Sequence, residues 1–221
     1  MNEEFNFERN LPEQQPAQES QPEALPQEQT QPVRANGEMP KKKKLTRQQA
    51  FFKDAKDVLM IVCVFMVVYV LFFRNVVVVG NSMYDTLHNG DYLLILNNLV
   101  YREPKAGDIV VASKDSFRNG ECIIKRVIAT EGQVVDIDFE TGTVYVDGVA
   151  LDEPYINSPT TRPEGMQFPL VVEEGCLFVM GDNRNHSSDS RDERLGCVDE
   201  RLVLGKVLWV IFPFSNFGNR T

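Results

Sequence analysis

The stretch VVDIDFETGTVYVDGVAL, residues 134–151, holds three short apolar runs separated by Thr141-Gly142 and Asp147-Gly148. Both dipeptides are good hairpin turns, because Gly and Asp accept the positive φ that tight antiparallel connections require. The reading is therefore strand, turn, strand, turn, strand over 134–139, 143–146 and 149–151. Working outward, further strands are expected at 76–79, 91–96, 108–112, 122–129, 177–180 and 202–212. Those at 91 and 108 each follow a glycine, Gly90 and Gly107. No long amphipathic helix is evident beyond residue 74. The expected fold is mainly β, a domain of packed antiparallel sheets.

Upstream, the character of the chain changes. Residues 58–73 run 16 positions without a charge, apolar on every face. A helix of that length is about 24 Å long, against a hydrocarbon core of about 30 Å. Ala55 and the aliphatic stem of Lys56 extend it by snorkelling, with Phe51 and Phe52 at the interface. The net charge of −9 is segregated: residues 1–40 carry −6, residues 41–57 carry +5, and the remainder carries −8. A transmembrane helix with a basic front edge is expected, which places 41–57 in the cytoplasm as a juxtamembrane segment and 74–221 outside. A cleavable signal peptide fits less well: the basic region lies far from the N-terminus, and no small-residue cleavage pair follows Phe73. Residues 1–40, with six prolines and seven glutamines, read as a disordered cytoplasmic tail. The acidic outer region excludes nucleic acid as a partner, since phosphate neutralisation needs clustered Lys and Arg. Four cysteines without C-x-x-C spacing and only two histidines give no metal site.

Three outer segments carry polar residues that strand propensity does not explain. In 80–87, Ser82 follows Gly80 and Asn81 just beyond an apolar run, where a nucleophile on a tight turn or an ordinary turn serine are both readings. In 121–128, alternation puts Lys125 with Ile123 and Val127 on one face and Arg126 with Ile124 and Ile128 on the other. A buried lysine is depressed toward neutrality and becomes a general base; a buried arginine stays charged and needs a carboxylate. Taken alone, this segment reads as an edge strand with both cations in solvent. In 181–191, Gly181 opens a loop dense in hydrogen-bonding groups, whose neighbouring opposite charges (Asp182/Arg184, Asp189/Arg191) suit a loop held by ion pairs.

Together these segments resemble the type I signal peptidases, the membrane-bound serine proteases that remove signal peptides from exported proteins. Ser82-Met83-Tyr84-Asp85-Thr86-Leu87 is similar to the family's Ser-Met-x-Pro-Thr-Leu box. The Gly-Asp-x-Val-Val, Lys-Arg-Val and Gly-Asp-Asn-Arg-x-x-Ser-x-Asp-Ser-Arg boxes are met at 107–111, 125–127 and 181–191. The single anchor and the compact segment 126–180 resemble the Gram-positive form. The resemblance implies that Ser82 is the nucleophile, Lys125 the general base and Ser187 a residue orienting the amine. It implies that Met83 shapes the adjoining wall, and that Arg126–Asp182 and Asp189–Arg191 are supporting ion pairs.

Two positions depart from the pattern. Asp85 replaces the box's Pro, a change expected to be confined to the turn. Gly80 stands where some members carry an oxyanion-binding Ser, which leaves the hole to backbone N–H groups, chiefly that of Ser82. The implied substrate is a preprotein signal peptide cut after a small-x-small motif by a monomer that touches membrane lipid and uses no cofactor or metal. Trp209, Phe212, Phe214 and Phe217 are read either as interfacial aromatics or as ordinary core and tail aromatics. Three alternatives remain: a Ser–His protease using His186, a membrane-anchored module without catalysis, and an autoprotease of the repressor-cleaving type. Cys176–Cys197 is the one disulfide considered, beside the reading of unpaired thiols.

Overall fold

A computed structural model describes residues 46–219 of the 221-residue chain. The disordered-tail expectation for 1–40, and the lysines at 41–44, lie outside the described residues.

The chain begins with α1, Arg47–Phe72. Its start is set by a capping box: Gln49 N–H donates to Thr46 Oγ1, and the Thr46 N–H donates to the Gln49 side chain at 3.1 Å. The helix thus begins 11 residues before the expected apolar run, because the basic segment continues the same helical geometry. At 26 residues it is about 39 Å long, longer than the hydrocarbon core. None of its residues is buried, and it is long and apolar enough to cross a membrane. α1 passes into β1, Phe73–Val77, without a linker; Tyr69 Oη donates to Asn75 Oδ1 across the junction at 3.0 Å.

A seven-stranded antiparallel sheet follows. It comprises β1, β2 (Tyr92–Asn97), β3 (Ile109–Ser113), β4 (Cys122–Thr130), β9 (Cys176–Met180), β10 (Val198–Asp199) and β11 (Val203–Phe212), in the order β1-β2-β11-β3-β4-β9-β10. A four-stranded sheet holds β5 (Val134–Asp138), β6 (Thr143–Val146), β7 (Val149–Ala150) and β8 (Leu170–Val171), in the order β7-β6-β5-β8. The stretch 134–151 is the two-hairpin element its turns predict; Asp147 and Gly148 both take positive φ, at 52° and 77°.

The strands differ from expectation mainly at their ends. β1 starts three residues early, drawn into register by β2 (Phe73 opposite Leu96, Val77 opposite Tyr92). β8 and β10 were not expected, being two residues each and too short to show a period. One core cluster, including Met83, Leu87, Leu93, Ile95 and Ile124, underlies the start of the sheet. A second, with Val110, Ile123, Val127 and Val179, lies under its centre. A third joins the two sheets through Phe178, Met180, Val135 and Val144.

β4 corrects one part of the edge-strand reading of 121–128: Lys125 and Arg126 are both buried rather than in solvent. The strand lies between β3 and β9, although β9 pairs only with its second half. The pattern misled because apolar residues on both faces fit a central strand as well as an edge one. Cys176 and Cys197 are free thiols.

Candidate active site

Beyond β1 the chain turns at Gly80, whose φ is +95°, and Asn89 Oδ1 accepts the Gly80 N–H at 2.9 Å. A side chain at this position would meet open space but a strained backbone. The turn delivers Ser82 to the side of β4 where Lys125 emerges. Lys125 Nζ donates to Ser82 Oγ at 2.6 Å and to Ile124 O at 3.1 Å.

The lysine is 4% exposed. Burial pushes its amine down to about 8 from an ordinary 10.5. Asp189 and Asp182 oppose that shift while Arg118 and Arg191 add to it. Desolvation is the largest of these effects and decides the direction.

The loop 181–191 supplies the frame. Arg126 donates through Nε to Asp182 Oδ1 at 2.9 Å and through Nη2 to Oδ2 at 2.8 Å, a two-point pairing in a buried setting. Thr86 Oγ1 donates to the same Asp182 at 2.5 Å, tying the turn that carries Ser82 to the loop. Asp189 is fully buried beside Arg191, with Nε–Oδ1 at 2.8 Å. Burial would raise its carboxyl, but the Arg191 guanidinium and the Gly181 N–H hold it below its ordinary value.

Gly181 is required by contact. A Cβ there would lie 2.3 Å from Ser187 Oγ and 2.4 Å from Ser82 O. Asn183 N–H donates to Ser82 O at 3.0 Å, and Asn183 Nδ2 to Asn81 O. Met83 is buried beneath the turn.

Ser187 is buried in the same junction, but the hydrogen bonds of the Lys125 amine run to Ser82 and Ile124, and the Ser187 hydroxyl makes no hydrogen bond among the described residues. Its nearness to Asp189 adds slightly to the effects that favour that carboxylate's charged form. His186 is exposed. The in-loop pairing of Asp182 with Arg184 does not form: Asp182 takes Arg126, and Arg184 reaches Glu153 with two bonds of 2.6 and 2.9 Å.

Several residues entered the site without any sequence signal. Glu153 and Thr160 hold Arg184. The Tyr155 ring lies 4.0 Å from the Arg126 guanidinium and 6.0 Å from that of Arg184. Thr86 lay within a recognised box but carried no assigned role.

A cleft of about 330 Å³ opens over the Ser82–Lys125 pair, lined on one side by 76–80 and on the other by 121–125. Its origin is topological. Residues 122–126 of β4 pair with β3, whereas only 126–130 pair with β9. The outer edge of 122–125 therefore faces the cleft instead of a strand. Among the described residues no group of His, Cys, Asp or Glu is arranged to hold a metal ion.

Comparison with known proteins shows the family. The family model described as "Signal peptidase, peptidase S26" matches residues 52–212. A signal peptidase I of Bacillus licheniformis is 32% identical over 80% of this chain and 97% of its own length. Signal peptidase I T of Bacillus subtilis is 31% identical over 84% and 96%. A solved signal peptidase I from Enterococcus faecalis is 34% identical, covering 48% of this chain and 97% of that one, with a TM-score of 0.40. With the family model spanning most of the chain and relatives of this identity matching nearly end to end, the chain belongs to the signal peptidase family, peptidase S26.

Proposed function

We propose that Ser82 and Lys125 are the nucleophile and general base with which this membrane-bound serine endopeptidase cleaves signal peptides from exported preproteins. One observation carries the assignment: a water-starved amine 2.6 Å from a serine hydroxyl at the floor of an open cleft. The neutral amine accepts the hydroxyl proton along that line as Oγ attacks the scissile carbonyl. The oxyanion forms beside the Ser82 backbone N–H, where Gly80 contributes no side chain. The ammonium then protonates the leaving nitrogen, and water, activated by the same amine, releases the acyl group. Arg126, Asp182, Asp189 and Arg191 hold the loop against which the turn rests, and Met83 forms the wall below it. The amine is bonded without Ser187, so we assign Ser187 a supporting role through Asp189.

The unpaired edge of 122–125 suits an extended peptide adding as a strand. The buried side chains of Val78, Met83 and Ile124 form a rigid floor, which favours small residues before the cut. The basic residues from 41 to 56 favour a cytoplasmic start, leaving residues 74–221 as the extracytoplasmic peptidase domain. Trp209, Phe212, Phe214 and Phe217 are all exposed and suit the interface. The chemistry needs one chain and no cofactor.

The test incubates the detergent-solubilised protein with a preprotein and maps the cut by mass spectrometry. A cut after small-x-small, lost in both Ser82→Ala and Lys125→Met and kept in His186→Ala, is the expected result. Cleavage surviving in Lys125→Met, or lost in His186→Ala, would end the Ser–Lys assignment. A phenotype untouched by Ser82→Ala would favour a non-catalytic binding module.

A further inference from the structure

A second cavity, of about 580 Å³, lies where the chain leaves α1. Phe73 pairs with Leu96, and Asn97 Nδ2 donates to Leu71 O at 3.2 Å. The loop after β2 is thereby held beside the last turn of the helix. The cavity floor is polar and internally satisfied. Tyr101 Oη donates to Asp108 Oδ2 at 2.6 Å, and Lys206 Nζ donates to Asp108 Oδ1 at 2.6 Å.

The rim is different. Arg102 donates to Leu99 O, and among the described residues neither Arg102 nor Lys105 has a carboxylate within ion-pair distance. Glu103 is the other acid in the lining, so three cations face two anions. Beside these cations Leu99 and Val100 are 58% and 44% exposed. Free cations next to exposed aliphatic tips, at the level where an apolar helix ends, match the boundary between headgroups and acyl chains.

We propose that this cavity binds the phosphodiester headgroup of an anionic phospholipid. Arg102 and Lys105 engage the phosphate, and Leu99 and Val100 enter the acyl boundary. The inference rests on the reading of α1 as a bilayer span, and goes beyond it by naming a lipid class and the residues that select it. None of the four touches the Ser82–Lys125 cleft.

The experiment places the full chain in nanodiscs of mixed phosphatidylcholine and phosphatidylglycerol and counts retained lipids by native mass spectrometry. The wild type is expected to retain phosphatidylglycerol at least about fivefold over its share of the disc. Arg102→Gln/Lys105→Gln should lose that preference while keeping peptide cleavage in detergent within about twofold. Lys53→Gln/Lys56→Gln, at the other end of α1, should keep the preference. Equal retention of the two lipids, an unchanged Arg102/Lys105 variant, or a loss confined to the Lys53/Lys56 variant overturns the proposal. So does glycerol 1-phosphate binding to the detergent-solubilised chain and lost in the Arg102/Lys105 variant, which would mark a soluble-anion site. A chain that does not enter the disc at all overturns the membrane reading first, and this inference with it.

Discussion

A lysine amine at its ordinary 10.5 is neutral at pH 7 in roughly one molecule in three thousand; at about 8 the share rises to roughly a tenth. That change in the population of competent base is the main electrostatic consequence of burying Lys125. Cleavage of a soluble peptide should therefore rise about tenfold per pH unit up to about pH 8 and then level, a profile that kcat/KM measurements from pH 5.5 to 9.5 will trace. A flat profile across that range would remove Lys125 as the base.

The same shift sets a stability cost with a definite sign. The folded amine releases its proton at about 8 and the unfolded one at about 10.5, so between those values the unfolded state binds more protons and stability rises with pH. Below about 8 the full penalty applies, on the order of 3 kcal/mol. Lys125→Met is accordingly expected to unfold at higher denaturant than the wild type at pH 7, with the gap narrowing toward pH 10. Ser82, Lys125, Arg126, Asp182 and Asp189 were legible in the sequence because each sits in a local box. Glu153 and Tyr155 lie in no box, and Thr86, though inside the first one, shows nothing of its role: Thr86 meets Asp182 across 96 positions and Glu153 meets Arg184 across 31. Neither segment carries any pattern that announces its partner.

Among the elements, the loop after β9 is held from two sides, and each side can be tested. Gly181 faces Ser187 Oγ and Ser82 O at distances no Cβ tolerates. Gly181→Ala must therefore push the turn that carries Ser82 away from the loop. It is expected to lower kcat at least about tenfold and to destabilise by about 1–3 kcal/mol, read by single-turnover cleavage and denaturant melts.

On the other side, the Tyr155 ring packs against Arg126, the counter-ion of Asp182. Tyr155→Leu removes that face and loosens the pair, leaving more of the Asp182 charge to act on Lys125. An anion raises an amine, so the rise in the pH profile should move to higher pH. Tyr155→Phe keeps the ring and should restore it. An unmoved profile in Tyr155→Leu would make Tyr155 a packing residue only. Strand content was readable where turns punctuate it, as at 134–151. The status of β4 was not, because burial on both faces is a property of the sheet that surrounds a strand.

For the whole molecule, one cross-strand row connects the anchor to the chemistry. Phe73 is opposite Leu96, Leu96 opposite Lys206, Lys206 opposite Val110, and Val110 opposite Lys125. Four strand spacings separate the end of α1 from Lys125, about 19 Å across the sheet. Because α1 enters β1 directly, the helix and the row form one continuous piece of backbone structure, and the cleft has little freedom to drift from the bilayer in which a preprotein's apolar segment resides. The advantage is one of effective concentration. A ten-residue Gly/Ser insert between Phe72 and Phe73 would let the domain wander by roughly 18 Å, comparable with the row itself, and would part Asn97 from Leu71 O. Cleavage of a preprotein reconstituted in the same vesicles should fall about three- to tenfold, while cleavage of a soluble peptide in detergent stays within about twofold. Equal losses on both substrates would mean that the insert had damaged the fold, and no loss on either would mean that α1 tethers the domain without positioning it.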